Sequence, residues 1–156
     1  MKVRLARPEE AQAVWNIRNQ AIRHGCIASY EAAVIRAWTP DEMPQSQRRM
    51  IIDNPFFVVE TPEGELVATG FLALETHSVE AIFTLPAFTG RGLASLILSA
   101  IKREATARGL NRLTLASTPN AAAFYEKHGF VRLGESLYPS TLAKTDLRCV
   151  EMAIVL

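Results

Sequence analysis

An apolar run, a glycine-containing turn and a long amphipathic helix follow one another in mid-chain, and this order constrains the fold most. The apolar run is Val79–Leu85, and the helix is predicted over Gly92–Arg108. Apolar residues recur there at i, i+3, i+4, i+7 and i+8 from Leu93, and Gly109 provides a C-terminal stop. A second apolar run, Arg112–Ala116, completes a βαβ unit, whose two strands should be parallel and joined by a right-handed crossover.

Helical and extended patterns also alternate on both sides of this unit. Before it, the predicted elements are a strand at Val3–Leu5, a helix from Pro8 to Gly25, a helix over about Glu31–Trp38, a helix from a capping box at Thr39–Glu42 toward Asp53, and a β-hairpin of Phe56–Glu60 and Glu65–Leu74. After it, they are a helix from Thr118 to Gly129, a strand at Phe130–Leu133 and a last strand over about Arg148–Val155. The sheet should therefore be mixed.

The turn before the mid-chain helix has the character of an anion-binding site. The first N–H groups of a helix lack carbonyl partners, and the helix dipole places partial positive charge at that end. Gly90 and Gly92 permit backbone conformations closed to other residues and let a ligand approach the main chain, while Arg91 adds a cation between them. A phosphate or pyrophosphate would satisfy these groups.

Composition narrows the class of protein. The chain has 156 residues, 49% of them hydrophobic, which suits a single domain over residues 1–156. Its formal net charge is +1, so a dedicated nucleic-acid binder is not expected. Cys26 and Cys149 are far apart and form neither a disulfide framework nor a metal-ligand pattern. No segment reads as a signal peptide or membrane span, so we expect a cytoplasmic protein with no membrane partner.

Two separated motifs resemble the GNAT superfamily of acyl-CoA-dependent N-acyltransferases. The first is Pro86-x-Phe88-Thr89-Gly90-Arg91-Gly92-Leu93-Ala94, which is similar to the loop that wraps the coenzyme A pyrophosphate. The second, Asn120 to Phe130, is similar to the superfamily helix that runs from an asparagine to a tyrosine and ends in Gly-Phe. The loop departs from the usual pattern at Thr89, where Gln or Arg is common, and at Ala94, where Gly is frequent.

The resemblance implies a fold and a co-substrate. The fold is an α/β (α+β) single domain with a mixed, mostly antiparallel sheet of about six to seven strands, flanked by helices, in which the Gly92–Arg108 helix joins one parallel strand pair. The co-substrate is acetyl-CoA, without a metal, and the residues implied to bind it are Ile82, Phe83, Thr84, Thr89, Gly90, Arg91, Gly92, Leu93, Ala94, Ser95, Asn120 and Tyr125. Tyr125 resembles the general acid that protonates the coenzyme A thiolate.

The resemblance also implies direct transfer of the acetyl group to a primary amine of a small molecule or peptide. Strand alternation places Glu80, Ile82 and Thr84 on one face, and the resemblance implies a local splay that frees main-chain donors around Ile82 to Thr84. Glu80, on the strand that leads into the site, is the candidate general base. Glu75, His77 and bulk water are its rivals. Residues expected to contact the acceptor amine are Tyr30, Trp38, Glu75, His77 and Tyr138, with Tyr138 in the loop before the last strand. Dimers are common in the superfamily, so a homodimer is one expected assembly.

Three other functions compete with this interpretation. A non-catalytic acyl-CoA sensor would keep the glycine loop without needing Tyr125 or a base. A Rossmann-type dinucleotide enzyme fits poorly, because Ser95 stands where its fingerprint needs Gly or Ala, and no acidic residue ends the next strand. A hydrolase built on Cys26 and His24 is disfavoured, since neighbours at a helix end rarely form a nucleophile–base pair.

Overall fold

The computed structural model describes all 156 residues as seven strands and five helices. The strands are β1 Lys2–Leu5, β2 Phe56–Glu60, β3 Leu66–Ala73, β4 Ser78–Thr84, β5 Arg112–Ser117, β6 Val131–Ser140 and β7 Thr145–Val155. The helices are α1 Ala11–Gly25, α2 Ala32–Trp38, α3 Ser46–Asp53, α4 Leu93–Ala107 and α5 Ala122–Lys127. Short 3₁₀ turns precede α1, α4 and α5, and each begins at a proline, whose fixed φ suits a first helical position. No helix is both long and apolar enough to cross a membrane.

The strands form one mixed sheet in the order β1-β2-β3-β4-β5-β7-β6. Every neighbouring pair is antiparallel except β4 and β5, which are parallel and connected through α4. These two strands pair only at Ser78 and Thr114 and then diverge. The predicted mixed sheet with one parallel pair is confirmed. β4 and β5, the two parallel strands, separate beyond Ser78 and Thr114 and leave a gap between them.

Helices cover both faces of the sheet. Phe57 and Val59 point into the main core with the buried face of α4, whereas their neighbours Phe56 and Val58 point into a second core with α1 and α3. β2 is therefore buried on both sides, which explains its uninterrupted apolar sequence, Phe56-Phe57-Val58-Val59.

A β-bulge in β4 corrects the expected alternation of that strand. Ala81 has φ +53°, and Ala81 and Ile82 together lie opposite Gly70 on β3. Glu80 consequently lines the α1 face, while Ile82 packs into the core beneath α4. The expectation that Glu80 and Ile82 share one face was wrong, because strict alternation holds only for a regular strand. Gly70 permits the close packing here, since a Cβ would lie 2.6 Å from Ile97 Cγ2.

Two further predicted boundaries were wrong. Thr39 does not begin a helix: its hydroxyl donates to the Ile35 carbonyl 2.8 Å away, at the end of α2, and α3 starts only at Ser46. β6 is longer than the predicted Phe130–Leu133 strand and pairs with β7 along its whole length, from Val131 to Ser140. Tyr138, expected in a loop, therefore lies on a strand.

Candidate active site

The turn before α4 presents a run of unpaired backbone N–H groups. None of the amides of residues 90–95 donates to a backbone carbonyl, and the first such bond of the helix runs from Leu96 N to Gly92 O at 3.1 Å. Gly90 and Gly92 both have φ +77°, and a Cβ on either would meet no atom within 4 Å. The backbone at these positions is therefore open to solvent and to a ligand. Six consecutive donors at a helix N-terminus fit a pyrophosphate group.

Side chains complete this turn. Arg91 is exposed and forms no ion pair, and its guanidinium lies 4.9 Å from the centre of the Phe88 ring. Thr89 donates its hydroxyl hydrogen bond to the Pro86 carbonyl at 3.0 Å, so it holds the turn shape. Ser95 Oγ lies 3.0 Å from His128 Nε2, which links the first turn of α4 to the end of α5. Arg91 is thus the side chain best placed to add charge to the amide donors.

Additional donors line the gap between β4 and β5. Leu85 N donates to Val67 O at 2.9 Å, which fixes the register of β4 on β3. Because N–H groups alternate sides along a strand, the amide of Phe83 also faces β3, whereas those of Ile82 and Thr84 face the gap. β5 has diverged at that point and forms no ladder with them. The gap can accept an extended chain that ends in a carbonyl group.

Glu80 stands beside the bulge, where its carboxylate is half-buried. Burial raises the pKa of this carboxyl above its ordinary value, and a hydrogen bond from Ser78 Oγ to Glu80 Oε1 at 2.9 Å offsets part of that effect. Ser78 Oγ in turn lies 2.6 Å from Thr76 Oγ1, so the carboxylate is held by a short polar chain. A carboxylate with a raised pKa, fixed in orientation, suits a general base.

Tyr125 lies on α5 and packs in the main core with the buried face of α4. Its ring packs edge-on against Phe124 and Phe130, with ring centroids 5.1 and 5.7 Å away, and the residue is only 8% exposed. Burial raises the pKa of the phenol well above its usual value, and the nearby Glu80 carboxylate raises it further. The hydroxyl therefore stays protonated at neutral pH. No hydrogen bond within the protein occupies it, so it is free to donate.

Asn120 is engaged within the protein. Its Oδ1 accepts a weak hydrogen bond from Cys26 Sγ at 3.6 Å and one from Ser29 Oγ at 3.4 Å, which connect the 3₁₀ turn before α5 to the residues that follow α1. The amide nitrogen, not the oxygen, remains as its free donor. That Asn120 binds the coenzyme remains a prediction. In this arrangement its Nδ2 group would donate the hydrogen bond, because Oδ1 already accepts two.

Three adjoining cavities converge on the α1 face of the sheet. Their volumes are about 300, 560 and 190 Å³, and Glu80 and Tyr138 line all three. Trp38 lines the first and third, Tyr30 the third and Glu75 the second. The structure therefore brings these predicted acceptor-binding residues around the candidate base.

His77 is the exception among the predicted acceptor residues. It is exposed in the turn between β3 and β4 and lines none of the three cavities. Its carbonyl accepts a hydrogen bond from Thr114 N at 3.2 Å, at the closed end of the gap between the strands. His77 thus has a structural role there, and it is not beside the cavity in which Glu80 lies.

Two groups in these cavities were not identified from the sequence. Arg18, on α1, lines the first and third cavities. Its proximity to Trp15, three residues earlier on the same helix, was the available signal. Met50, on α3, lines the first and second cavities and adds an apolar wall.

Comparison with known proteins identifies the family of this chain. A family model described as an acetyltransferase (GNAT) domain matches residues 26–155. The chain therefore belongs to the GNAT acetyltransferase family, as its two motifs had predicted.

The chain is also similar in sequence to an acetyltransferase and in structure to solved N-acetyltransferases. An acetyltransferase of Pectobacterium atrosepticum is 26% identical over 118 residues, 74% of each chain. The crystal structure of a GCN5-related N-acetyltransferase from Rhodopseudomonas palustris is 21% identical, with a TM-score of 0.89 over 99% of this chain and 95% of that chain. The PaiA N-acetyltransferase of Thermoplasma acidophilum, solved with coenzyme A, is 13% identical, with a TM-score of 0.80 over 99% and 98%. These structures confirm the predicted fold.

Proposed function

We propose that residues 1–156 form a single acetyltransferase domain that moves an acetyl group from acetyl-CoA directly to a primary amine. The observation that carries the proposal is the continuity of the site. Six amides without backbone partners at residues 90–95 follow β4, the strand that diverges from β5. Glu80 lines the α1 face of that strand, and Tyr125 packs in the main core with α4, where the nearby Glu80 carboxylate helps to raise the pKa of its hydroxyl. The PaiA structure with coenzyme A supports the choice of co-substrate.

Each group then has one task. The amides of residues 90–95, with Arg91, hold the pyrophosphate, and the amides of Ile82 and Thr84 hold the pantetheine arm and the thioester carbonyl. Acetyl-CoA supplies the activated acetyl group as a thioester. Glu80 accepts the proton that an ammonium must lose before its nitrogen can attack.

The transfer step is balanced without a covalent enzyme intermediate. The amine nitrogen bonds to the acetyl carbonyl carbon, the carbon–sulfur bond breaks, and the thiolate takes the proton of the Tyr125 hydroxyl. The remaining excess proton of the nitrogen restores that hydroxyl. Cys26 and Cys149 are poor nucleophiles, because burial raises the pKa of both thiols, that of Cys26 to about 11. Direct transfer is consistent with that chemistry.

Thiol release from acetyl-CoA tests the proposal when it is measured across a panel of primary amines, polyamines, amino acids and peptides. Tyr125→Phe removes only the hydroxyl and keeps the ring packing, so we expect a stable variant that binds acetyl-CoA normally and turns over about a hundredfold more slowly. Firm acetyl-CoA binding with no turnover for any amine would favour a non-catalytic sensor. Absence of coenzyme binding would contradict both functions.

A further inference from the structure

Arg18 lines the cavities of about 300 and 190 Å³, and aromatic and polar contacts hold its guanidinium in place. It lies 4.2 Å from the centre of the Trp15 ring and 5.8 Å from that of Trp38. Its Nη1 donates to Asn19 Oδ1 at 2.8 Å and to the Trp38 carbonyl at 3.0 Å. Asn19 is itself 2% exposed, and its Nδ2 donates to the Pro40 carbonyl at 2.8 Å. The orientation of Arg18 is therefore fixed by buried neighbours.

The guanidinium has no anionic partner. None of the six ion pairs in the protein includes Arg18, whereas the more exposed Arg23 on the same helix pairs with Asp41. Burial lowers the pKa of Arg18 to about 10, which still leaves it charged at neutral pH. A half-buried charge without a counterion is costly, and an anion that entered the cavity would remove that cost.

The free donors of Arg18 form one edge. A guanidinium has five N–H groups, and the hydrogen bonds in the protein engage only Nη1. Nε and Nη2 are left, and together they present the planar pair of donors that binds a carboxylate through two parallel hydrogen bonds. A lysine could not provide that geometry.

Arg18 and Glu80 line the same two cavities without pairing with each other. Both border the cavities of about 300 and 190 Å³, yet they form no ion pair, so more than 4.0 Å separates their charged atoms. The two cavities therefore contain both a cation that attracts an anion and a carboxylate that attracts a cation. Trp38, Phe83 and Tyr138 form walls between or beside them.

We infer that Arg18 binds a carboxylate of the acceptor, and that the acceptor is an amino acid bearing a primary amine and a free carboxylate. This inference rests on the proposed function, because it assigns the amine end of the same molecule to Glu80. A zwitterion matches both charges of the cavity. A polyamine would place a second cation against Arg18, and an amine without a carboxylate would leave the guanidinium unpaired.

The experiment compares free amino acids with their amides and with the matching decarboxylated amines, for example phenylalanine, phenylalaninamide and phenethylamine, across all apolar side chains. For the best acceptor we expect kcat/KM to be roughly ten- to a hundredfold higher for the acid than for its amide. Arg18→Met should abolish this preference, and Arg18→Lys should keep only part of it. Arg103→Met, which removes an exposed arginine from α4, is the matched control and should keep the full preference.

Binding measurements distinguish failure of the Arg18–carboxylate inference from failure of the proposed acetyltransferase function. Calorimetric titration of acetyl-CoA should give the same affinity for Arg18→Met as for the wild type, which also shows that the variant is folded. Turnover of amides or polyamines equal to that of amino acids, or an unchanged acid preference in Arg18→Met, would overturn the inference and leave the proposed function standing. Lack of thiol release with every amine would overturn the proposed function itself.

Discussion

Glu80 is the proposed general base and is also a half-buried carboxylate, so replacing it should lower activity without lowering stability. Glu80→Gln keeps an oxygen to accept the Ser78 hydrogen bond but removes the base. We expect kcat/KM to fall by about a hundredfold and the acid limb of its pH profile, which lies above the ordinary carboxyl value, to disappear. Steady-state rates from pH 5 to 9 would check this, and rates within a few-fold of the wild type would instead assign proton removal to water.

The same variant should be more stable than the wild type at pH 7. Since burial raises the pKa of Glu80 in the folded state, the ionised carboxylate destabilises the fold above that pKa and not below the unfolded value, ordinarily 4.5. The stability gap between Glu80→Gln and the wild type should therefore narrow as the pH falls from 7 toward 4.5. Urea unfolding at several pH values measures it, and a gap that widened on acidification would contradict the assigned shift.

The sequence predicted part of the candidate site. Glu80 and Tyr125 were predicted because one lies on the strand before the glycine turn and the other matches a motif tyrosine. Arg18 was not, because a charged residue at an apolar helical position is ordinarily solvated at its tip. Only its tertiary neighbour Trp38, whose ring and carbonyl it contacts, shows that it is half-buried, and no carboxylate pairs with it. Such environments depend on residues distant in sequence, so local patterns do not report them.

The two ends of α4 provide a matched pair of glycines at the scale of the element. Gly92 has φ +77° at the N-terminus and Gly109 has φ +79° just beyond the C-terminus, and neither has an atom within 4 Å of a built Cβ. Gly92→Glu and Gly109→Glu should therefore cost similar stability, on the order of 1 kcal/mol, from backbone strain alone. Only Gly92→Glu should weaken coenzyme A binding, by at least tenfold, through repulsion of the phosphates.

Calorimetry of coenzyme A binding and urea unfolding of both variants check this expectation. Wild-type coenzyme affinity in both variants would show that the pyrophosphate does not bind at the α4 N-terminus. An equal loss of affinity in both would point to a general effect of added negative charge and would contradict a local site.

Elements with strong local signals were predicted well, and those that depend on tertiary pairing were not. α4 has both a regular apolar stripe and terminal glycines, and its predicted range agrees with Leu93–Ala107 to within about one residue at each end. The extension of β6 to Ser140 was missed, because Pro139 and the small polar residues around it resemble a loop. β6 is an edge strand, where proline is tolerated because one side of the backbone needs no partner.

At the scale of the whole molecule, the sheet order determines which groups meet. β7 lies between β5 and β6, so the last strand of the chain closes the sheet beside the second strand of the βαβ unit. This places Tyr138 of β6 against the cavities that contain Glu80. The motifs predicted the family and the parallel pair, and the resemblance implied a splay around Ile82 to Thr84. Strand alternation could not show that the bulge places Glu80 and Ile82 on opposite faces of the sheet, because the bulge depends on how β4 pairs with β3.

If the unpaired amides before α4 and along β4 bind acetyl-CoA, their NMR signals should change when the ligand is added, and amide chemical-shift mapping measures this residue by residue. During titration of the ¹⁵N-labelled protein with acetyl-CoA, we expect the largest shifts at residues 90–95 and at Ile82 and Thr84, with only small changes for Gly109 and for β1 at the far edge of the sheet. Saturable shifts centred elsewhere, with the amides of residues 90–95 unchanged, would show that acetyl-CoA binds at another place on the protein.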